Sequence, residues 1–104
     1  MSTYSEYETL QVTHVQVFPV ENRPEGSHMV ARAEIVLNDQ FIVRGLRVMD
    51  GENGLFVGYP VDPNLDGDTF LSTCKPVTRA LREHIEDTVL EKYQELRAAR
   101  GDEG

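Results

Sequence analysis

The chain has 104 residues, 39% of them hydrophobic and 27% charged, and carries a formal net charge of −8 with a pI near 4.7. That length accommodates one packed core, and the longest purely apolar run, three residues, is far short of a helical membrane span. The single cysteine, Cys74, forms no internal disulfide and fits a reducing compartment.

The opening residues 1–11 lack a clear period and read as a flexible N-terminal arm, polar and acidic, without the basic and apolar regions of an export signal. A cytoplasmic location is therefore expected. Val12, Val15, Val17 and Val20 with their β-branched neighbours predict a first strand ending near Pro19. The run Glu21-Asn22-Arg23-Pro24-Glu25-Gly26-Ser27 is turn chemistry throughout.

Strict alternation from His28 to Leu37 predicts a second strand, with Met29, Ala31, Ala33, Ile35 and Leu37 on one side and Val30, Arg32, Glu34 and Val36 on the other. Asn38-Asp39 reads as a two-residue hairpin loop before a third strand over 40–49. A loop of that length pairs Ile35 with Ile42, Ala31 with Leu46 and Met29 with Val48 on one face. On the other it pairs Val36 with Phe41, Glu34 with Val43 and Val30 with Arg47. Apolar side chains then occupy both faces, which points to a covering loop or a second subunit and so to a homodimer.

Asp50-Gly51-Glu52-Asn53-Gly54 is a further dense turn, and 55–61 follows as a strand. Residues 62–69 form a Gly/Pro/Asp loop, and 70–75 read as a short edge strand. Beyond Pro76, Leu81, Ile85, Val89, Tyr93 and Leu96 build one apolar helical stripe, with Thr78 as N-cap and Gly101 as stop. Strands followed by one helix predict an α+β fold of two layers, an antiparallel sheet of four or five strands with a long C-terminal helix on one face. The single domain is expected over 12–100, with a disordered tail over 101–104.

No catalytic constellation stands out, so no enzyme is expected. Cys74 with His14, His28 or His84 has no local signature of a thiol–imidazole pair. Asp62-Pro63-Asn64-Leu65-Asp66-Gly67 matches the opening of a calcium loop, but position 12 is Thr73 where that loop needs a bidentate glutamate. The segment reads as a solvated turn, and neither metal nor cofactor is expected.

The acidic balance opposes nucleic-acid binding, because a polyanion repels an acidic surface. Distribution matters more than the sum, however, since eight of the ten basic residues are arginines, the side chain suited to bidentate phosphate contact. Lys75, Arg79 and Arg82 gather at the start of the helix, where free backbone N–H groups and the dipole favour an anion. Local i,i+4 pairing of Arg79 with Glu83 and of Arg82 with Glu86 competes with that role. Glu83, Asp87, Glu91 and Glu95 stack along the helix and repel phosphate there, or attract a basic protein partner. Arg44 and Arg47, three apart on a strand, are expected on opposite faces.

Asp50-Gly51-Glu52-Asn53-Gly54-Leu55-Phe56-Val57-Gly58-Tyr59-Pro60 resembles the most recognisable segment of the SpoVG family of septation and sporulation regulators. Val12-Thr13-His14-Val15, Asn38-Asp39-Gln40-Phe41-Ile42-Val43, Leu46-Arg47-Val48 and Ile85-Glu86-Asp87-Thr88-Val89-Leu90-Glu91-Lys92-Tyr93 agree in order and spacing, so the resemblance covers 12–97. It implies a small cytoplasmic bacterial protein, commonly dimeric, that binds DNA or RNA and influences division and gene expression. It also implies contacts around the helix start, which maps onto 75–84. Two departures stand against that pattern. Pro60 is followed by Val61 and Asp62 rather than a basic pair, and Thr78-Arg79-Ala80-Leu81-Arg82-Glu83-His84 replaces hydroxyl residues followed by Arg-Gly-Lys. The site expected from all this comprises Lys75, Arg79 and Arg82, then Arg44 and Arg47. The rival expectation is an acidic protein-interaction module that binds no nucleic acid.

Overall fold

The structure, a computed structural model, describes residues 9–62 and 72–99. Four strands, β1 (Val12–Pro19), β2 (Met29–Leu37), β3 (Phe41–Gly51) and β4 (Gly54–Gly58), form an antiparallel meander in the order β1-β2-β3-β4. The one helix among the described residues, α1 (Arg79–Ala99), lies across one face, chiefly against β1 and β4. The fold is α+β in two layers. No helix among the described residues is long and apolar enough to cross a membrane.

The period-2 pattern of β2 sends Ala31, Ala33 and Ile35 into the core, where they meet Val17 of β1, Leu46 and Val48 of β3 and Val57 of β4. The helix completes this cluster with Ile85, Val89 and Tyr93, the middle of its apolar stripe, while Leu81 and Leu96 close its ends. Alanines at the centre of the sheet leave room for the larger helix residues to seat. Thr78 caps α1 as expected, with its Oγ1 accepting from the Leu81 N–H at 3.2 Å and its carbonyl from the Arg82 N–H at 3.1 Å.

The hairpin register departs from the one expected. Asn38 and Asp39 both adopt positive φ, and the Gln40 N–H donates to the Leu37 carbonyl, as a tight two-residue turn requires. The ladder nevertheless pairs Leu37 with Phe41, Val36 with Ile42 and Ile35 with Val43, one residue out from the expected pairs. The turn is tied sideways to the chain entering β1. Asn38 exchanges two hydrogen bonds with the Gln11 backbone, and the Asp39 N–H donates to Thr13 Oγ1.

A second shift, a bulge at Gly45 (φ +89°), pairs Glu34 with Arg44 but Ala33 with Leu46. Beyond it Ala31 faces Val48 and Arg32 faces Arg47. β4 is shorter than expected, ending at Gly58, and Val61 keeps only an isolated bridge to Ser72. Residues 72–75 form no edge strand, and Phe70 and Leu71 lie outside the described residues, as do Gly101 and most of the calcium-like loop.

Candidate nucleic-acid interface

The five cationic side chains singled out in the sequence occupy two surfaces. Lys75, Arg79 and Arg82 lie at the start of α1, on the helix side of the sheet, and all three are exposed. Lys75 lines a small apolar cleft with Leu37, Phe41, Val43 and Tyr59, so its stem has apolar surface to rest on while the ammonium reaches water. Arg79 is paired locally, its Nε donating to Glu83 Oε2 at 3.1 Å. The pair is wide open to solvent, with side-chain exposures of 89% and 61%, and is worth little.

Arg82 behaves differently. Its i,i+4 partner, Glu86, instead accepts a hydrogen bond from the Tyr59 hydroxyl at 3.2 Å. Among the described residues Arg82 forms no ion pair, though its charge acts on Tyr59 and opposes the rise in that residue's pKa. Burial, then the Glu86 charge and hydrogen bond, push the phenol well above its ordinary value of 10.0. The sequence-level competition therefore resolves residue by residue. Among the described residues Arg79 is paired and Arg82 is not.

Beside the helix start an apolar cleft of about 460 Å³ opens between Leu10, Val77, Ala80, Leu81 and His84. His84 Nε2 accepts the Val12 N–H at 3.0 Å, so the position where the family pattern carries lysine here anchors the start of β1.

Arg44 and Arg47 are found together on the face that α1 leaves uncovered, which corrects the expectation that they point to opposite sides. Arg44 faces Glu34, and its Nε donates to Glu34 Oε1 at 3.2 Å. Arg47 faces Arg32, and Glu34 and Arg32 share one side of β2. The extra residue at the Gly45 bulge converts an odd spacing on β3 into a common face. Sequence alternation places Arg32 on one side of the strand with Val30, Glu34 and Val36, yet only the shifted register sets it beside Arg47.

Arg47 is held in place. Its guanidinium lies across Gly58, where a Cβ would sit 2.6 Å from Nη2 and 2.9 Å from Cζ, and Nη2 donates to the Tyr59 carbonyl at 2.9 Å. Its Nε is buried with no hydrogen-bond partner among the described residues. Glu83, Asp87, Glu91 and Glu95 are all exposed along α1, a continuous acidic row. The described residues hold no group of three or more His, Cys, Asp or Glu placed to bind one metal ion.

A meander of this order, one capped C-terminal helix and the Asp50–Pro60 motif together define the class, and comparison with known proteins assigns it. The sequence model of the SpoVG family matches residues 10–95, and the chain belongs to that family. It is 35% identical to a protein of Agathobacter rectalis over 85 residues, 82% of this chain and 93% of that one. It is 38% identical to a protein of Anaeromyxobacter sp. over 89 residues, covering 85% and 87% of the two chains. Both bear the name "Putative septation protein SpoVG". A Listeria monocytogenes relative, "Putative septation protein SpoVG 2", is 37% identical over 87 residues, 84% of this chain and 81% of that one.

Proposed function

We propose that this protein is a cytoplasmic regulator of septation and gene expression that binds DNA or RNA as a homodimer through Lys75, Arg79 and Arg82 at the start of α1. The septation role rests on the names its relatives carry. The nucleic-acid role rests above all on Arg82, an exposed guanidinium in the first turn of a capped helix whose natural ion-pair partner, Glu86, is engaged by Tyr59. A phosphate at that position meets a cation and the positive end of the helix together. Two copies double the patch and raise avidity without new contacts. Arg44 and Arg47 extend the cationic surface on the other side of the sheet.

Fluorescence anisotropy against DNA and RNA oligonucleotides, from about 50 to 200 mM salt, tests this reading. Saturable binding that falls steeply with salt is expected, and Arg79→Ala with Arg82→Ala weakens it and flattens the salt slope by about 2 for duplex DNA. No binding at low salt, or an unchanged affinity in the double variant, overturns the assignment. Sedimentation of the purified protein tests the dimer.

The exposed row of Glu83, Asp87, Glu91 and Glu95 favours a second reading, an acidic docking face for a basic protein of the division or regulatory machinery. Replacing the row with glutamines and finding capture of such a partner intact eliminates it.

A further inference from the structure

The helix covers one face of the sheet, and the other face has a composition that the helix-start patch does not account for. Across the four strands the ladder sets Phe18, Arg32, Arg47 and Gly58 in one transverse row, with Phe56 two residues along β4, opposite Met49. Phe18 and Phe56 are 46% and 48% exposed, although their strand neighbours Val17 and Val57 are buried. From the strand spacing and rise, the two aromatic positions lie roughly 15 Å apart, with the arginines between them.

Charge on this face runs against the rest of the molecule. Its ladder positions carry Arg32, Arg44 and Arg47 against the single acid Glu34, in a chain of net charge −8. Neither Arg32 nor Arg47 forms an ion pair among the described residues, and Arg47 is spread over Gly58 because that residue has no side chain. Apolar rings at both sides of a cationic strip suit a ligand that is itself both planar and anionic. A second copy laid symmetrically on this face would set the same surplus of arginines against itself.

We propose that the uncovered sheet face is a second nucleic-acid site, specific for single strands, on which bases stack against Phe18 and Phe56 while Arg32 and Arg44 meet the phosphates. This inference rests on the nucleic-acid reading above but adds a separate surface with a different ligand preference. Open four-stranded sheets with exposed aromatics hold two or three unstacked bases in this way. Duplex DNA, whose bases are already stacked, has nothing to offer the rings, so the helix-start patch alone would bind it.

Binding of a mixed-sequence single strand, the same strand carrying abasic sites, and a duplex is measured for the wild type, for Phe18→Leu with Phe56→Leu, and for Arg79→Ala with Arg82→Ala. Leucine keeps the sheet surface apolar, and circular dichroism verifies the fold. The phenylalanine variant is expected to lose about tenfold or more on the base-containing single strand and to be unchanged on the abasic strand and the duplex. Equal single-strand affinity in wild type and phenylalanine variant, with loss only in the arginine variant, overturns the sheet site and leaves the helix-start reading standing. An equal loss on base-containing and abasic strands overturns stacking. A change in sedimentation with binding unchanged means that a second copy covers the face and overturns the proposal as well. Absence of all binding in the wild type removes both readings.

Discussion

The Tyr59 hydroxyl donates to Glu86 Oε2 at 3.2 Å, and this contact joins the exit of β4 to the second turn of α1. The same residue's carbonyl accepts from Arg47 on the opposite face of the sheet, so Tyr59 links the two cationic surfaces through its backbone and side chain. Burial first, and the Glu86 charge second, raise the phenol above its ordinary value of 10.0. A group whose pKa is higher folded than unfolded contributes its stability below the unfolded value and loses it as pH rises through the folded one. Wild-type stability is therefore expected to fall above about pH 10, where the unfolded chain ionises and the folded one does not. Tyr59→Phe removes that portion of the decline. Urea unfolding of both proteins between about pH 8 and 11 checks it, and parallel curves would show that Tyr59 is not the group responsible.

Arg47 and Gly58 form a second coupled pair. A methyl group at position 58 would stand 2.6 Å from Arg47 Nη2, so Gly58→Ala forces the guanidinium off the strand and breaks its bond to the Tyr59 carbonyl. A hydrogen bond from a charged donor is worth about 1.5–3 kcal/mol, and because a flexible side-chain end can move, the loss belongs at the lower limit, about 1.5 kcal/mol. With Arg47→Ala already in place there is nothing to displace. Gly58→Ala then becomes neutral or stabilising by up to about 0.5 kcal/mol, through reduced freedom of the unfolded chain. A double-mutant cycle by urea unfolding reads this change of sign directly.

Much of the architecture was legible because it rests on local patterns. Alternation through Ala31, Ala33 and Ile35, the stripe Ile85, Val89 and Tyr93, and the Thr78 cap each follow from a period or an end signal. The register was not legible, because two features lie outside such patterns. Asn38 is bound to Gln11 across the sheet, and Gly45 inserts an extra residue that no hydrophobic period marks. Spacing alone separates Arg44 from Arg47, whereas the bulge unites them and brings Arg32 alongside. The helix-start cluster was legible as a set of residues. The division between a paired Arg79 and an unpaired Arg82 was not, because it depends on Tyr59, 27 residues from Glu86 in sequence.

Gly45 is the position on which that shared face depends. Its φ of +89° is one that side chains rarely adopt, and a Cβ there would meet Pro60 Cβ at 3.4 Å. Gly45→Ala is expected to cost about 1–2 kcal/mol, most of it backbone strain. Gly26 is also at positive φ, but a Cβ there would have nothing within 4 Å, so it provides the control for strain without contact. Denaturant midpoints for both alanine variants separate the two contributions, and an unchanged midpoint for Gly45→Ala would mean that the bulge relaxes.

The contrast between Arg79 and Arg82 makes the final prediction, one about binding rather than stability. Arg79 is shared with Glu83 at 3.1 Å, while Glu86 is occupied by Tyr59 and leaves Arg82 to solvent. A phosphate that engages Arg79 shares its guanidinium with the Glu83 carboxylate, which holds Nε, whereas among the described residues no carboxylate is paired with Arg82. Arg82→Gln is therefore expected to weaken nucleic-acid binding more than Arg79→Gln. Glu83→Gln releases Arg79 and removes a repelling charge from the second turn of α1, next to the helix start. The ion pair it breaks is exposed and worth up to about 1 kcal/mol, so binding should tighten by about two- to fivefold at low salt and by less at higher salt. Anisotropy titrations of the three variants at two salt concentrations decide the order. Equal losses for the two arginine variants, with no gain from Glu83→Gln, would show that the Arg79–Glu83 pair does not govern access to the helix start.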